Sequence, residues 1–218
     1  MYLDGIIIYL FYIAPINKPS LKEQIMKNLL YTLLLLPILI YSQTKAFPLA
    51  YGAGSSATGG RGGAVYHVTN LNNSGSGSFR DAVSVSNRII VFDVSGTIEL
   101  ANALTIHADN LTIAGQSAPK GGITITGEVV NFSSADNIIV RYIRFRPDFT
   151  QADLIDALNA NNFTNAIVDH CSISWGGDEA FSQTGTSTNV TVQNCILAES
   201  RTGMISGNSS DSNSANFS

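Results

Sequence analysis

The chain has 218 residues, of which 44% are hydrophobic, 13% are charged and 19 are glycines. So little charge excludes a coiled coil or a helix bundle, and the hydrophobic fraction excludes a disordered chain. The net charge of −4 gives no electrostatic basis for binding nucleic acid, and two cysteines are too few for a disulfide scaffold or a thiolate zinc site. A β-rich domain with many turns remains.

The N-terminal region has the pattern of a secretory signal. An apolar run over residues 29–40 follows Lys27 and is shorter than the roughly 20 residues that span a bilayer. We interpret residues 1–25 as a mis-annotated upstream extension and residues 26–42 as the signal peptide. We therefore expect a secreted mature chain with a net charge of −5 and no stable membrane span. A membrane hairpin that also uses residues 5–16 is the alternative.

Turns and short elements follow in the mature chain. The glycine-rich run at 47–63 lacks the Gly-Lys-Ser/Thr of a phosphate-binding loop, so it predicts a set of tight turns. Residues 65–68 read as a strand, and Ser78 is a suitable N-cap for a short helix over 79–83. The apolar run at 88–94 predicts a buried strand.

A repeat then dominates the sequence. Four segments share the pattern of an asparagine followed by a strand: 110–113, 137–140, 165–168 and 189–192. Their spacings are 27, 28 and 24 residues, and a period in this range indicates a solenoid. Because each unit contains only strands and turns, the repeat predicts a parallel β-helix over 43–206. The leading asparagines tolerate left-handed turns and are interpreted as a structural side-chain ladder.

The repeat also sets a register. Ile143, Cys171 and Cys195 lie six residues after successive asparagines, so they should stack in the core. The next position should face outward, where the chain has Arg144, Ser172 and Ile196. Strand spacing places the two cysteine backbones about 4.8 Å apart, which permits a disulfide. Two stacked reduced thiols are the alternative.

Several motifs in order carry a family resemblance. They are TGGRGG, GSFRDAV, FDVSGTIEL, LTIAGQSAP, RYIRFR and IVDHCSISWGGDEAFS. Over about residues 46–199 the chain resembles a pectate lyase of polysaccharide lyase family 1. The resemblance implies an all-β, right-handed, single-stranded parallel β-helix that is secreted. It also implies cleavage of polygalacturonate in pectin by β-elimination, with Ca²⁺ and an arginine base. A cation on the uronate carboxylate would stabilise the charge left by the departing proton.

The resemblance also implies calcium ligands. The family has a calcium-binding aspartate about a dozen residues before its Val-Asp-His motif, and Asp156 matches it, with Asp153 as a weaker candidate. Asp178 matches a later acidic ligand, whereas Ser182 stands where the family has an aspartate. Strand alternation directs Asp178 and Ser182 outward and puts Glu179 on the core side.

The cationic residues are substrate-binding candidates. Arg144 and Arg146 could bind uronate carboxylates bidentately, and Arg201 lies near a basic substrate-binding position of the family. The family's catalytic arginine lies in a later motif without a match here, which leaves Arg201 as a weak candidate base. Residues 207–218 read as a low-complexity tail. We therefore expect a β-helix incomplete at its C-terminus, a lyase fragment with reduced or no activity, or alternatively a non-catalytic secreted glycan-binding protein.

Three further features have competing interpretations. Asp169 and His170 are interpreted as a structural hydrogen-bonded pair rather than catalytic groups. Trp175 is interpreted as a packing residue, with stacking on a sugar as the alternative. The sequons at Asn110 and Asn189 are candidate glycosylation sites in a secreted protein, which we expect to be a monomer.

Overall fold

The computed structural model of the chain describes residues 19–35, 44–148 and 155–207. The chain divides into two compact units, residues 1–42 and 43–218. Described by itself, the first unit contains helix α1 (Leu21–Leu35), which runs across the predicted start at Met26. Most of residues 1–42 and all residues after Gly207 lie outside the described ranges, so the upstream extension, the signal peptide and the low-complexity tail stay predictions. Within the described ranges, every helix is too short or too polar to cross a membrane.

The second unit is a stack of parallel strands. Its strands are β1 (Ala64–Val68), β2 (Arg88–Phe92), β3 (Gly96–Leu100), β4 (Leu104–Ile106), β5 (Leu111–Ala114), β6 (Ile123–Gly127), β7 (Val130–Ser133), β8 (Asp136–Arg141), β9 (Ile143–Pro147), β10 (Leu158–Asn161), β11 (Thr164–Asp169), β12 (Ser172–Ser174), β13 (Glu179–Thr184), β14 (Thr188–Gln193), β15 (Ile196–Ala198) and β16 (Thr202–Ser206). Short helix α2 (Phe79–Ala82) begins at the predicted cap, where the Ser78 hydroxyl accepts from the Asp81 N–H at 3.2 Å. One-turn 3-10 helices span Ala53–Ser56 and Gly115–Ser117.

The strands form three parallel sheets. Sheet 1 contains β1, β2, β5, β8, β11 and β14; sheet 2 contains β3, β6, β9, β12 and β15; sheet 3 contains β4, β7, β10, β13 and β16. The first strand, β1, pairs in parallel with β2. From β2 onward, each strand pairs in parallel with the strand three places later, so the chain passes through the three sheets in turn and stacks one coil on the next. The predicted all-β parallel β-helix is confirmed.

The core consists of columns of like side chains. Register places one such column through sheet 1, formed by Ile90, Ile113, Val140, Val168 and Val192. Phe132 and Phe163 stack with ring centroids 5.0 Å apart. Apolar side chains in successive coils therefore shield one another from water, which is the main favourable contribution to the fold.

The predicted stack of Ile143, Cys171 and Cys195 is present. Ile143 and Cys171 are buried and Cys195 is partly buried, and all three lie in or against the same core cluster. Both cysteines are free thiols, and the Cys195 sulfur accepts from the Cys171 N–H at 3.4 Å. The structure therefore has the arrangement of stacked reduced thiols.

The predicted asparagine ladder is also present, with one interruption. Each leading asparagine has a positive φ, between 47° and 60°. The Asn137 amide donates to Asn110 at 2.6 Å and the Asn189 amide donates to Asn165 at 2.9 Å. Between these pairs, Asn165 donates instead to Asp136 at 2.8 Å. The ladder satisfies polar groups at a corner where the backbone is strained.

The glycine-rich run forms a strap, residues 44–63, across the outer face of sheet 1. Its N–H groups at Gly54 and Gly60 donate to the hydroxyls of Thr191 and Thr112, at 2.9 Å and 3.0 Å. Ala50 and Ala57 of the strap form a second apolar cluster with Ile139 and Ile167 of the sheet. The run therefore has the predicted turns, but its position across the stacked strands was not predicted.

The strap lies so close to sheet 1 that only a glycine fits at position 54. A Cβ added at Gly54 would lie 2.0 Å from the carbonyl oxygen of Ala166. We expect Gly54→Ala to lower the free energy of unfolding by about 2 kcal/mol, because the strap must lift from the sheet. Urea denaturation measures this change. Gly203→Ala is the matched control, since an added Cβ there meets nothing within 4 Å; equal effects of both variants would contradict the close packing of the strap.

Candidate functional site

The corner between sheets 2 and 3 is held by the coils on both sides of it. The turn at residues 175–178 joins β12 to β13. Its Gly176 N–H donates to the Ser200 hydroxyl at 2.9 Å, and its Gly177 N–H donates to the Ile155 carbonyl at 2.6 Å. A Cβ at Gly176 would lie 2.2 Å from the Glu179 carbonyl oxygen. Only glycine fits there, so the turn has a fixed position relative to its neighbours.

Three carboxylates meet at this corner. One oxygen from each of Asp156, Asp178 and Glu179 lies within 4.8 Å of the others, and all three residues are half-buried. Asp156 precedes β10 in one coil, while in the next coil Asp178 ends the turn and Glu179 begins β13. The Glu179 N–H donates to Asp156 Oδ1 at 3.1 Å, and the Ala157 N–H donates to the Glu179 carbonyl at 3.0 Å. These bonds hold the acidic cluster together across two coils.

The electrostatics of the acidic cluster favour a cation. Burial, followed by the hydrogen bond to Asp156 and the charges of Asp156 and Asp178, raises the pKa of Glu179 to about 7. Calcium takes about 6–8 oxygen ligands, mostly carboxylates, carbonyls and water. The donor set here consists of carboxylate oxygens only, so these residues fit Ca²⁺, with water or substrate supplying the remaining ligands.

The structure brings two of the predicted ligands together and adds a third. Asp156 and Asp178 are adjacent, while Glu179 was expected on the core side and instead lies in the acidic cluster. Alternation fails at Glu179 because it is the first residue of its strand, directly after the tight turn. Ser182 is buried further along β13, opposite Asn159. Asp153 lies outside the described residues.

Two of the predicted substrate-binding arginines lie on the outer face of sheet 2. Arg144 donates to the Thr124 hydroxyl at 2.8 Å and to the Gly121 carbonyl at 2.6 Å. Arg146 donates to the Ser172 carbonyl and hydroxyl at 2.8 Å and 2.6 Å. Burial and the nearby charge of Arg144 lower the pKa of Arg146. Both guanidinium groups are thus positioned by the sheet beneath them.

Arg201 lies one coil beyond the acidic cluster. It is exposed and immediately precedes Thr202, whose N–H donates to the Asp178 carbonyl at 2.8 Å. Sequence proximity to Thr202 therefore places Arg201 at the same corner as Asp178. Its assignment as a candidate base or substrate-binding residue stays a prediction.

Asp169 has the environment of a structural carboxylate. Its side chain is fully buried, and four groups donate to it at 2.7–3.0 Å: Arg141, His170, Gln193 and Asn194. Burial alone would raise the pKa of Asp169, but these hydrogen bonds outweigh it and hold the pKa below its ordinary value. The pair of Asp169 and His170 therefore ties three coils together, as expected of a structural pair.

Fold and site together define a class of protein: a parallel β-helix with a carboxylate cluster at one corner and arginines at that corner and on the adjoining sheet. No family model matches the chain. It is 49% identical over 154 residues to a probable pectate lyase C of Aspergillus terreus. This match covers 71% of this chain and 36% of that protein. It is 50% identical over 154 residues to a probable pectate lyase C of Aspergillus fumigatus, with the same coverage.

A third relative gives a longer match. The chain is 49% identical over 172 residues to a probable pectate lyase C of Emericella nidulans, covering 78% of this chain and 41% of that protein. The chain is therefore a relative of the pectate lyases, and the resemblance carried by its motifs is confirmed. It spans about two fifths of the length of the curated relatives it matches.

A solved structure shares the fold. The crystal structure of Jun a 1, the major allergen from cedar pollen, matches with a TM-score of 0.57 and 24% identity. The match covers 66% of this chain and 47% of that one. At this identity the likeness concerns the fold alone.

The buried carboxylate yields a test by pH. Because the pKa of Asp169 is lower in the folded chain, its stabilising contribution is present above the unfolded value of about 3.9 and is lost as the pH falls through the folded value. We expect Asp169→Asn to cost about 3 kcal/mol at pH 7, since Arg141 loses its buried counter-charge. Urea denaturation at pH 7 and near pH 3 measures the free energy of unfolding of both proteins. The difference between the wild type and Asp169→Asn should be smaller at pH 3.

The control for this variant is Asp93→Asn. Asp93 is about half exposed and pairs with the exposed His67 at 2.9 Å, so its removal should change stability by less than about 1 kcal/mol. A cost for Asp169→Asn that does not change with pH would show that packing, rather than charge, gives Asp169 its role.

Proposed function

We propose that this chain carries the calcium-binding and pectate-binding part of a pectate lyase, which cleaves polygalacturonate by calcium-assisted β-elimination. The observation that carries the proposal is the acidic cluster of Asp156, Asp178 and Glu179, in a relative of the pectate lyases. Three half-buried carboxylates whose oxygens lie within 4.8 Å of one another repel when all are ionised, and a cation would relieve that repulsion. Pectate is a polyanion that a cation can bridge to an acidic protein.

In this proposal the acidic cluster and the three arginines have distinct chemical roles. The acidic cluster holds the cation, and calcium, when bound, acts as a Lewis acid on the uronate carboxylate and stabilises the charge left by proton loss. Arg144 and Arg146 add positive charge on the adjoining face of sheet 2, where Arg144 attracts a further carboxylate and Arg146 also lies over the ring of Trp175. Arg201 is exposed beside the acidic cluster and is the candidate to remove the proton.

The test is elimination together with binding. Product formation from polygalacturonate is followed by the ultraviolet absorbance of the unsaturated product, with calcium or with a chelator. Binding of oligogalacturonate is measured in parallel by calorimetry. We expect calcium-dependent binding and, at most, slow elimination. The chelator should abolish elimination and weaken binding.

Matched variants identify the ligands. Asp178→Asn and Glu179→Gln each remove one charged oxygen donor at almost constant volume, so each should weaken calcium binding at least 10-fold, by analogy with loss of groups that orient a metal. Asp93→Asn removes the same charge elsewhere and should have no effect. Calcium binding unchanged in both cluster variants would refute the metal assignment.

The rate of elimination separates two functions. Chelator-sensitive elimination that Arg201→Lys abolishes would identify Arg201 as the base, since lysine lacks the planar guanidinium. Calcium-dependent binding without any elimination in the wild-type chain would instead support the alternative function, a non-catalytic β-helix that binds pectin.

We further propose that the protein is secreted, because its substrate is an extracellular polymer and residues 26–42 have the order of a signal peptide. N-terminal sequencing of exported protein should give a start near Gln43. Exported protein that begins at Met1 would contradict both the signal peptide and the interpretation of residues 1–25 as untranslated.

A further inference from the structure

Trp175 lies at the candidate site but does not have the surroundings of a packing residue. It is the single tryptophan of the chain, and 46% of it is exposed. Its φ is 71°, in the left-handed region that costs a non-glycine residue roughly 1–2 kcal/mol. The corner requires the left-handed backbone, but a large aromatic side chain that faces solvent gains little from burial, so packing does not explain why this residue is a tryptophan.

The ring is nevertheless fixed. The indole N–H donates to Glu199 Oε2 at 2.6 Å, and the backbone N–H donates to the Glu199 carbonyl at 3.2 Å. The Arg146 guanidinium lies over the ring, 5.4 Å from its centroid. Glu199 itself has a φ of 54°, so the supporting residue repeats the conformation of Trp175 one coil later. These contacts orient the indole before any ligand arrives, which lowers the entropy lost on binding.

The exposed ring borders a shallow groove on the outer face of sheet 2. Trp175 lines it together with Glu99, Thr126, Arg146, Pro147 and Asp148. Trp175 is three residues before Asp178, in the turn that Gly176 holds against Glu179. A polymer bound at the acidic cluster therefore passes beside the indole.

The charges of the groove indicate which part of the polymer it accepts. The carboxylates of Glu99 and Asp148 oppose the cation of Arg146, so the groove has no excess positive charge to attract a uronate carboxylate. An aromatic face instead offers apolar contact area that does not depend on ligand charge. A pyranose ring presents such a face through its axial C–H groups.

We propose that Trp175 is the stacking platform of a sugar subsite beside the calcium site, which recognises the ring face of one galacturonate unit and accepts it with or without a methyl ester on its carboxylate. This inference rests on the proposed pectate-binding function. Trp175 binds the ring, Arg146 and Glu199 position the indole, and the acidic cluster with its cation selects a free carboxylate on a neighbouring unit.

The test uses Trp175 as its own reporter. Since no other tryptophan is present, its fluorescence should change on titration with oligogalacturonate and saturate with the dissociation constant measured by calorimetry. Partially methyl-esterified oligogalacturonate should produce the same change. A chelator should weaken binding of the de-esterified ligand more than binding of the esterified one.

Variants separate the two parts of the surface. Trp175→Phe should raise the dissociation constants of both ligands by about 5-fold, because a smaller ring loses stacking area, while calcium binding stays unchanged. Asp178→Asn should affect the de-esterified ligand most. Tyr142→Phe is the control, since Tyr142 is another exposed aromatic residue with positive φ, at a different corner; it should bind both ligands as the wild type does.

The possible failures can be told apart. Calcium-dependent binding that leaves Trp175 fluorescence and the Trp175→Phe affinity unchanged would overturn the subsite and leave the proposed function intact. Ligand binding that quenches Trp175 but ignores calcium would overturn the proposed function and support the subsite. No binding of either ligand to the wild-type chain would overturn both.

Discussion

The structure depends on in-register stacking of parallel coils. From β2 onward, each strand pairs with the strand three places later, so a residue lies directly over its equivalent in the previous coil. Because side chains alternate between faces, a slip of one residue would move every core side chain to the surface. Ile143, Cys171 and Phe145 stay buried only in this register. The same constraint fixes the corners, since a corner residue must also repeat at every coil.

Left-handed residues turn the chain at those corners. Tyr142, His170 and Asn194 have φ values of 57°, 53° and 52° at one corner, and Trp175 and Glu199 have 71° and 54° at another. Each such residue costs energy, which contacts between neighbouring coils offset. At the first corner Tyr142 stacks on His170 with centroids 4.7 Å apart. At the second, the corresponding contact is a hydrogen bond from an exposed indole, so that corner retains a surface for a ligand.

The sequence predicted the features that repeat in every coil and did not predict those that occur once. The core stack and the asparagine ladder follow from a period of 24–28 residues, because similar residues recur at the equivalent position of successive coils. Glu179 was misplaced because alternation holds within a strand, and its orientation is set by the turn before it. The strap over sheet 1 joins Gly54 to Thr191, 137 residues away, and no local pattern encodes such a contact.

The acidic cluster shows how one register serves both folding and function. The register that buries the core also stacks Asp156 against Glu179 in the next coil, where strand spacing of about 4.8 Å brings like charges together. Repulsion between them opposes stacking of the coils. Burial and the hydrogen bond to Asp156 raise the pKa of Glu179 most, and the charges of Asp156 and Asp178 raise it further. In the proposed calcium site, a bound cation would turn this repulsion into attraction, because the carboxylates would become shared ligands. Under that proposal, calcium binding would stabilise the stacking of the two coils that form the site.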